Sequence, residues 1–254
     1  MVETFQVTVP ALTGNTPRRA FVYLPDICLQ DEDARCPVLY MFDGHNLFYD
    51  DVATYGKSWG LLEYMDSTET PVIIAGVECN HGHNNERLVE YCPFTAEMPG
   101  FGYIRGRGKA TMEWFVHHFK PYIDRHYPTL PQREYTFIGG SSMGGLMSLY
   151  AITAYNAVFS RCAALSPSIW FGGERVERML TTHRIRPGTV VYMDYGEREL
   201  GHRHLAGDFG RAGALLMSRG ALVTSRIVPG GTHSEFSWEK QIPFFMNTLL
   251  YDLE

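Results

Sequence analysis

The sequence predicts an α/β protein with a mostly parallel central sheet, an antiparallel N-terminal hairpin and helices on both faces. Short apolar segments rich in β-branched and aromatic residues alternate along the chain with longer segments of helical periodicity. The apolar segments are too continuous for strands that face water on one side, so we expect strands buried on both faces. Strands that alternate with helices in this way are typical of a parallel sheet covered by its connecting helices.

The elements follow one another in a regular order. The hairpin is expected from residues 3–9, which alternate in polarity, and from residues 18–24, with turn chemistry at residues 14–17 between them. Later strands are expected at residues 37–42, 72–77, 135–138 and 190–193, with 160–165 and 222–228 as further candidates. Helical patterns lie between them at residues 59–65, 111–126, 146–155, 205–217 and 238–250.

The segment of residues 79–109 is the exception, because it shows no convincing periodicity. It carries histidine, asparagine, arginine and tyrosine side chains together with five glycines. Loops of this length inside a compact domain are usually functional or mobile. We therefore expect a long loop at the rim of a site.

Length and composition favour one globular domain over residues 1–254. With 45% hydrophobic and 20% charged residues the chain can bury a large core, which excludes a disordered or collagen-like class. The net charge is −6, and the one sizeable basic cluster, residues 105–109, is short and broken by glycine. This balance argues against a nucleic-acid partner. No apolar stretch approaches the roughly 20 residues that cross a bilayer, so no membrane partner is expected.

Cysteine usage and the N-terminal sequence predict a cytoplasmic protein. The five cysteines are odd in number, widely spaced and without a C-x-x-C pair, which argues against a disulfide framework or a zinc knuckle. The N-terminal residues lack a basic region followed by a long apolar core, so no secretory signal is expected. Assembly into a homo-oligomer stays open on these observations.

Residues 140–144 form a G-x-S-x-G motif with Ser142 at its centre. A strand pattern precedes the motif and a helical pattern follows it, which is the setting of a nucleophile elbow. Flanking glycines remove side chains that would clash in so tight a turn, and the serine hydroxyl then projects above the sheet. The amide of Met143 lies at the helix N-terminus, where it can donate to a developing oxyanion. Ser142 is therefore the candidate nucleophile.

A serine nucleophile needs a base and, in a triad, a carboxylate that orients the base. His233 follows the last predicted strand and precedes the C-terminal helix, so it should reach the sheet edge where Ser142 stands. The carboxylate should follow the preceding strand, residues 190–193. Four residues qualify, and strand order does not separate them: Asp194, Glu197, Glu199 and Asp208.

The second oxyanion donor is expected in the loop after residues 37–42. Gly44 lets the backbone turn there, and the amide of His45 is the candidate donor. For the side chains of Asp43 and Asn46 we expect hydrogen bonds to nearby backbone that stabilise the loop.

Several linked motifs in one order extend over most of the chain. Besides the elbow they comprise residues 22–25, 40–48, 57–60, 86–93, 165–168 and 230–235. With these motifs the chain resembles the putative-esterase family of α/β-hydrolases, which includes esterase D, enterochelin-type trilactone esterases and bacterial feruloyl and acetyl-xylan esterases. The resemblance implies an α/β-hydrolase fold, a Ser142–His233 pair, a small-molecule carboxylic ester as substrate, and no metal or other cofactor. It also implies Glu199 as the acid, because this residue is the third after Gly196.

The expected rim of the site is rich in aromatic residues, which suits a small acyl or aryl ester. Its members are Phe48, Trp59, Arg87, Tyr91, Trp170 and Phe171, and of these Trp59, Arg87 and Trp170 are the candidate substrate-binding residues. Packing inside the protein is the alternative role for the aromatic side chains. Arg87 could bind an acidic group of the substrate, but pairing with Glu86 or Glu90 to fix its loop is favoured.

Three closely spaced histidine pairs lack a carboxylate or cysteine at metal-ligand spacing and are expected to be solvated. They are His81 and His83, His117 and His118, and His202 and His204.

The function that the motifs favour is a serine carboxylesterase working through an acyl-enzyme. An acyltransferase on the same scaffold, and a catalytically inactive hydrolase fold that serves as a binding protein, are the alternatives.

Overall fold

The computed structural model describes residues 1–82, 86–199, 201 and 204–253. Within this part of the chain ten strands form: β1 (Val2–Thr8), β2 (Pro17–Tyr23), β3 (Val38–Phe42), β4 (Ile73–Val77), β5 (Thr95–Met98), β6 (Gly102–Arg105), β7 (Thr136–Ser141), β8 (Arg161–Leu165), β9 (Val190–Gly196) and β10 (Leu222–Val228). The helices are α1 (Pro10–Thr13), α2 (Ile27–Gln30), α3 (Leu61–Thr68), α4 (Glu86–Glu90), α5 (Gly108–Trp114), α6 (Lys120–His126), α7 (Met143–Ala154), α8 (Glu174–Thr182), α9 (Leu205–Ser218), α10 (Glu235–Glu239) and α11 (Ile242–Leu250). A π-helical turn joins α5 to α6.

The central sheet is antiparallel at one side and parallel elsewhere. Its strand order is β1-β2-β4-β3-β7-β8-β9-β10. The hairpin of β1 and β2 is antiparallel, and β2 also pairs antiparallel with β4. From β4 to β10 all neighbouring strands run parallel, as expected for strands joined by helical crossovers. The predicted fold class, a mostly parallel sheet with an antiparallel N-terminal hairpin, is confirmed.

Successive side chains of the central strands point into two apolar cores on opposite faces of the sheet. In β3, Val38, Tyr40 and Phe42 belong to one core, and Leu39 and Met41 belong to the other. Helices α5 to α9 cover the first core, and α3, α10 and α11 cover the second. Both faces are therefore covered, as predicted. Strand β10 forms one edge of the sheet, and none of its residues is fully buried.

The segment of residues 79–109 has more regular structure than expected. It contains α4, a separate two-stranded sheet of β5 and β6, and the start of α5. The expectation of one long loop is therefore wrong. The first three of these elements are only four or five residues long, which is too short for periodicity to show in the sequence.

The helical pattern at residues 238–250 also differs from expectation, because the structure divides it into α10 and α11. Helix α8 lies where the sequence predicts no helix. In the part of the chain described above, no helix is both long enough and apolar enough to span a membrane.

Candidate active site

Ser142 lies at the tip of the turn between β7 and α7. Its φ of 58° and ψ of −121° fall in a region that residues other than glycine rarely occupy. Strain of this kind persists where the surrounding structure enforces it, commonly at active sites. Glycine is needed at the flanking positions because other backbone groups lie too close for a side chain. A Cβ on Gly145 would lie 2.8 Å from the carbonyl oxygen of Leu165. A Cβ on Gly140 would lie 3.0 Å from the backbone of Gly144. The local backbone thus has the geometry expected of a nucleophile elbow.

The backbone of Ser142 is tied to the end of β8 and to the loop that follows it. Its amide donates to the carbonyl of Leu165 at 2.9 Å, and its carbonyl accepts from the amide of Ser168 at 3.0 Å. The Ser142 hydroxyl lies 3.3 Å from the Ser168 hydroxyl. The side chain of Ser142 lines a cleft that His233 also lines. These contacts fix the turn and leave the hydroxyl at the cleft.

His233 and Glu199 form a hydrogen bond of 2.6 Å between Nδ1 and Oε2. They lie on the loops that follow β10 and β9, and these strands are parallel neighbours with Val228 opposite Gly196. Their carboxyl ends therefore lie side by side, and this brings the two loops together. The carboxylate is nearly buried at 9% exposure, whereas the imidazole is 47% exposed.

The other oxygen of Glu199 is also held by the protein. Oε1 accepts hydrogen bonds from the Ser166 hydroxyl at 2.7 Å and from the Gly196 amide at 2.8 Å. Burial alone would raise the pKa of Glu199, but the hydrogen bonds from His233 and Ser166 outweigh burial and lower it. Glu199 is therefore a carboxylate at neutral pH.

The remaining three candidate carboxylates contact other groups. Asp194 is buried, and its oxygens accept hydrogen bonds from the Tyr192 hydroxyl at 2.7 Å and the Ser166 amide at 3.3 Å. Burial raises the pKa of Asp194 to about 7. Glu197 accepts from an amide in the turn after β10, and Asp208 lies in the first turn of α9. Of the four, Glu199 is the carboxylate that the structure brings against the imidazole.

The amides of Met143 and His45 belong to residues that line the cleft beside the nucleophile candidate. Met143 is the first residue of α7, so its amide has no partner within the helix. A Cβ on Gly44 would lie 2.6 Å from the backbone of β4, and glycine thus lets the turn after β3 pack closely.

The side chains of this turn bond within the loop that carries them. The His45 ring forms a hydrogen bond with Thr54 Oγ1 through Nε2 at 2.8 Å, and burial lowers the pKa of His45 to about 4. Asn46 Oδ1 accepts from the Thr54 amide at 2.9 Å, as expected for a side chain that stabilises its own loop.

Arg87 forms a two-pronged ion pair with Asp43, with Nε at 2.8 Å and Nη2 at 2.7 Å from the two carboxylate oxygens. Burial would raise the pKa of Asp43, but the charge of Arg87 outweighs it and lowers the pKa below its usual range. The expected pairing of Arg87 with Glu86 or Glu90 is therefore wrong, and Glu90 pairs instead with Arg18 at 2.6 Å. The expectation of local backbone hydrogen bonds for the Asp43 side chain is also wrong, because its partner lies 44 positions along the chain.

The two tryptophans predicted to bind substrate have different environments. Trp59 is 2% exposed and packs in the second core, with its ring centroid 5.8 Å from Trp238 and 6.3 Å from Phe245. Trp59 does not line the cleft, so this prediction is wrong. Trp170 is half-buried and does line the cleft. Of the other rim candidates, Phe48 and Tyr91 are buried and Phe171 packs against Phe94.

The cleft has two lobes that meet at Ser142 and His233. The lobe of about 520 Å³ is mainly apolar and is lined by Leu88, Met98, Phe101, Trp170, Tyr195 and Leu205. The lobe of about 650 Å³ differs in carrying more charged and polar side chains, among them Asp43, His45, Asn80, His81, Glu86 and Arg87, and is called the polar lobe below. Leu88, Met98 and Phe101 are not predicted individually from the sequence as lining residues. The sequence indicates a place at the site only through the segment to which they belong, residues 79–109, where a site rim is expected.

One group among the described residues could hold a metal ion. His45, Cys79 and His81 each offer a ligand atom, and these atoms lie within 4.8 Å of one another. The sequence does not reveal this group because its members come from two separate loops. Two members of the histidine pairs, His83 and His202, lie outside the described residues.

The fold and the elbow define a class of protein. A mostly parallel sheet with a strained serine between a central strand and the following helix is the α/β-hydrolase arrangement. Residues 12–247 match the family described as "Putative esterase", and the chain belongs to this family. The resemblance inferred from the linked motifs is thereby confirmed.

The chain is also similar in sequence to one curated protein and in fold to solved structures. The chain is 27% identical over 187 residues to the uncharacterized protein YbbA of Bacillus subtilis. The aligned region covers 72% of this chain and 69% of YbbA. The BES protein from Bacillus cereus is similar with a TM-score of 0.73 and 18% identity, covering 98% of this chain and 94% of that one. An IroE-like serine hydrolase from Shewanella oneidensis also has a TM-score of 0.73 and 18% identity, with coverages of 98% and 79%. These two likenesses show the shared fold.

Proposed function

We propose that this protein is a serine carboxylesterase that hydrolyses small acyl or aryl carboxylic esters through an acyl-enzyme intermediate. The 2.6 Å hydrogen bond between His233 and Glu199 carries the proposal, because it orients an imidazole in the cleft that Ser142 lines. Membership of the Putative esterase family supports an ester as the substrate.

In the acylation step, the Ser142 oxygen attacks the ester carbonyl carbon while His233 Nε2 takes the hydroxyl proton. Nε2 is the available ring nitrogen because Glu199 holds Nδ1. The resulting imidazolium is stabilised by the ionised carboxylate. When the tetrahedral intermediate collapses, the bond between the carbonyl carbon and the alcohol oxygen breaks. The proton on Nε2 then passes to the departing alcohol, and the acyl group stays on the serine.

The backbone amides of Met143 and His45 are assigned to the oxyanion of the tetrahedral intermediate. An amide at a helix N-terminus and an amide in the turn after β3 are the two donors that this fold uses for an oxyanion. Donors fixed by the backbone need no rearrangement as charge develops, which is why such sites lower the barrier strongly.

In the deacylation step, water attacks the acyl carbon and gives a proton to His233. The bond between that carbon and the Ser142 oxygen then breaks, the carboxylic acid leaves, and His233 returns the proton to the Ser142 oxygen. The 47% exposure of the imidazole lets solvent reach the base directly.

The shape of the cleft supports a small substrate. The apolar lobe, with Trp170 in its wall, is assigned to the acyl or aryl group because its lining offers mainly apolar side chains. Arg87 lines the polar lobe but is engaged by Asp43, so its assigned role is to hold the turn that carries His45.

Covalent labelling tests the proposal. A fluorophosphonate probe phosphonylates an activated serine with loss of fluoride, and we expect wild type to be labelled at Ser142 and to turn over p-nitrophenyl acetate. The Ser142→Ala variant should lose both labelling and turnover, by on the order of 10⁴-fold or more. The matched control Ser141→Ala alters the neighbouring, buried serine and should keep both. Labelling that persists in Ser142→Ala, or that is lost only in Ser141→Ala, would contradict the assignment.

A further inference from the structure

Three side chains with metal-binding atoms meet beside the cleft, outside the hydrogen-bonded pair of His233 and Glu199. His45 lies in the turn after β3, and Cys79 and His81 follow β4. Strands β3 and β4 are parallel neighbours with Phe42 opposite Val77, so the two loops start from the same edge of the sheet. The ligand atoms of the three side chains all lie within 4.8 Å of one another.

The His45 ring is arranged as metal-binding imidazoles usually are. Its Nε2 is 2.8 Å from Thr54 Oγ1, and its Nδ1 is buried with no hydrogen-bond partner among the described residues. If Nε2 carries the hydrogen and donates to Thr54, Nδ1 keeps an unpaired lone pair inside the protein. Metal-bound histidines are commonly held in this way, with the second nitrogen fixed by another group. A buried nitrogen without a partner is costly, and a bound cation would satisfy it.

We propose that His45 Nδ1, Cys79 Sγ and the His81 imidazole bind one zinc ion beside the ester cleft. Thiolate and imidazole are the ligands that zinc prefers, and three protein ligands leave the fourth tetrahedral position open. Because all three side chains belong to the polar lobe, that position faces the cleft. Binding displaces the thiol proton of Cys79 to solvent, so the site gains a thiolate as it gains the ion.

The geometry requires a small closure of the site. Zinc–ligand bonds of about 2.0–2.3 Å place the ligand atoms of a tetrahedral site roughly 3.3–3.6 Å apart. Atoms spread over as much as 4.8 Å must therefore approach by about 1 Å. His81 is exposed, whereas His45 and Cys79 are buried, so rotation of the His81 side chain supplies this movement.

The two opposite charges of one ion pair lie beside the three ligands. The carboxylate of Asp43 lies next to both Cys79 and His45, and it is buried. Its partner Arg87 offsets this charge within the ion pair. A zinc ion with one thiolate keeps a net positive charge, which the Asp43 carboxylate faces at short range.

Metal binding to the whole chain tests the proposal independently of ester hydrolysis. Protein freed of metal with a chelator is titrated with zinc chloride by calorimetry, and with cobalt(II) by absorption spectroscopy. We expect one zinc ion per chain, and a cobalt spectrum with a thiolate charge-transfer band and the visible bands of a tetrahedral site.

Two variants and two matched controls locate the site. Cys79→Ser and His81→Gln should each weaken zinc binding by about tenfold or more, since loss of even an outer contact of a zinc site costs this much. Cys28→Ser and His118→Gln change a half-buried cysteine and an exposed histidine elsewhere, and should leave binding unchanged. The charge-transfer band should disappear in Cys79→Ser.

Three results would overturn the proposal: no zinc bound by wild type, unchanged affinity in His81→Gln, or a cobalt spectrum without the thiolate band. Should Cys79→Ser fail to fold, His81→Gln decides the matter alone, because its side chain is exposed and its removal leaves the core intact. Since none of these readouts measures ester turnover, they stand whether or not the protein is an esterase.

Discussion

Ser166 donates a 2.7 Å hydrogen bond to the Glu199 oxygen that does not contact His233. The same serine hydroxyl accepts a 3.0 Å hydrogen bond from Trp238 Nε1, and Trp238 belongs to the second core. Two successive hydrogen bonds, through Ser166 to Trp238, therefore connect the Glu199 carboxylate to the second core. With Oε1 fixed in this way, the carboxylate group has one orientation, in which Oε2 faces the imidazole of His233.

The first prediction concerns Glu199 itself. Glu199→Gln keeps the shape of the side chain but removes the negative charge that stabilises the imidazolium. We expect turnover of p-nitrophenyl acetate to fall by about 10⁴-fold, as is typical when a triad acid loses its charge. Glu197→Gln and Asp208→Asn are the controls and should stay within about threefold of wild type. A Glu199→Gln enzyme as active as these controls would remove Glu199 from the proposed triad.

The second prediction concerns Ser166, which acts through Glu199 as a positioning residue. Ser166→Ala removes a hydrogen bond to a charged group, so kcat should fall by about tenfold to a hundredfold. The pKa of Glu199 should rise, because burial then acts against fewer stabilising hydrogen bonds. Loss of this donor also leaves more negative charge on the carboxylate that faces the imidazole and so favours the protonated ring. The acid limb of the pH–rate profile should therefore move to higher pH.

The matched control for Ser166 is Ser160→Ala, which removes another buried serine hydroxyl far from the carboxylate. It should leave the pH profile in place even if the melting temperature falls. An unmoved acid limb in Ser166→Ala would mean that the serine only stabilises the fold.

The third prediction is a pH dependence of stability that arises from Asp194. Its pKa is about 7 in the folded chain, against about 3.9 in an unfolded chain. The folded state therefore binds the proton more tightly, and the free energy of unfolding falls as pH rises from about 4 to about 7. Asp194→Asn cannot lose a proton. The free energy of unfolding of the variant minus that of wild type should therefore increase by about 3 kcal/mol as pH rises from about 5 to about 8.

Urea unfolding at the two pH values measures this difference directly. Groups other than Asp194 titrate in both proteins, so their contributions largely cancel in the comparison. A difference in unfolding free energy that stays the same at both pH values would show that Asp194 has an ordinary pKa.

The fourth prediction separates the two tryptophans. Trp170→Ala opens the wall of the apolar lobe, so kcat/KM for an aryl ester should fall by about tenfold, with a smaller fall for an acetyl ester. Trp59→Ala leaves a cavity in the core and should cost about 3–5 kcal/mol of unfolding free energy. Kinetics with both esters and thermal melts of both variants check this contrast. A stable Trp59→Ala variant with altered ester preference would instead return Trp59 to the substrate site.

The elbow geometry and the position of His233 at the cleft could be predicted from the sequence because both depend on local order along the chain. A glycine-rich turn between a strand and a helix has few conformations open to it, and strand order places the loop after β10 at the same sheet edge. The choice of Glu199 among four carboxylates depends on which side chain turns toward the imidazole. Strand order contains no information on that choice, and the family resemblance supplied it.

The errors about Trp59 and Arg87 have a shared physical cause. An aromatic side chain in a loop packs equally well inward or toward a cleft, and only the three-dimensional contacts decide which. Arg87 lies beside two glutamates in sequence, yet its partner is Asp43, which the fold brings to it from the end of β3. Contacts between separate loops also explain why the group of His45, Cys79 and His81 is invisible in the sequence.

The hairpin of β5 and β6 stands apart from the large sheet within the described residues, and its tip turns through two glycines, Gly100 and Gly102, with φ of 83° and 78°. Met98 and Phe101 at this tip line the apolar lobe. Replacing these few residues leaves every backbone hydrogen bond of the eight-stranded sheet in place. The hairpin tip is therefore a part of the cleft wall whose residues can be exchanged to reshape the apolar lobe without a change in the large sheet or in the turn that carries Ser142.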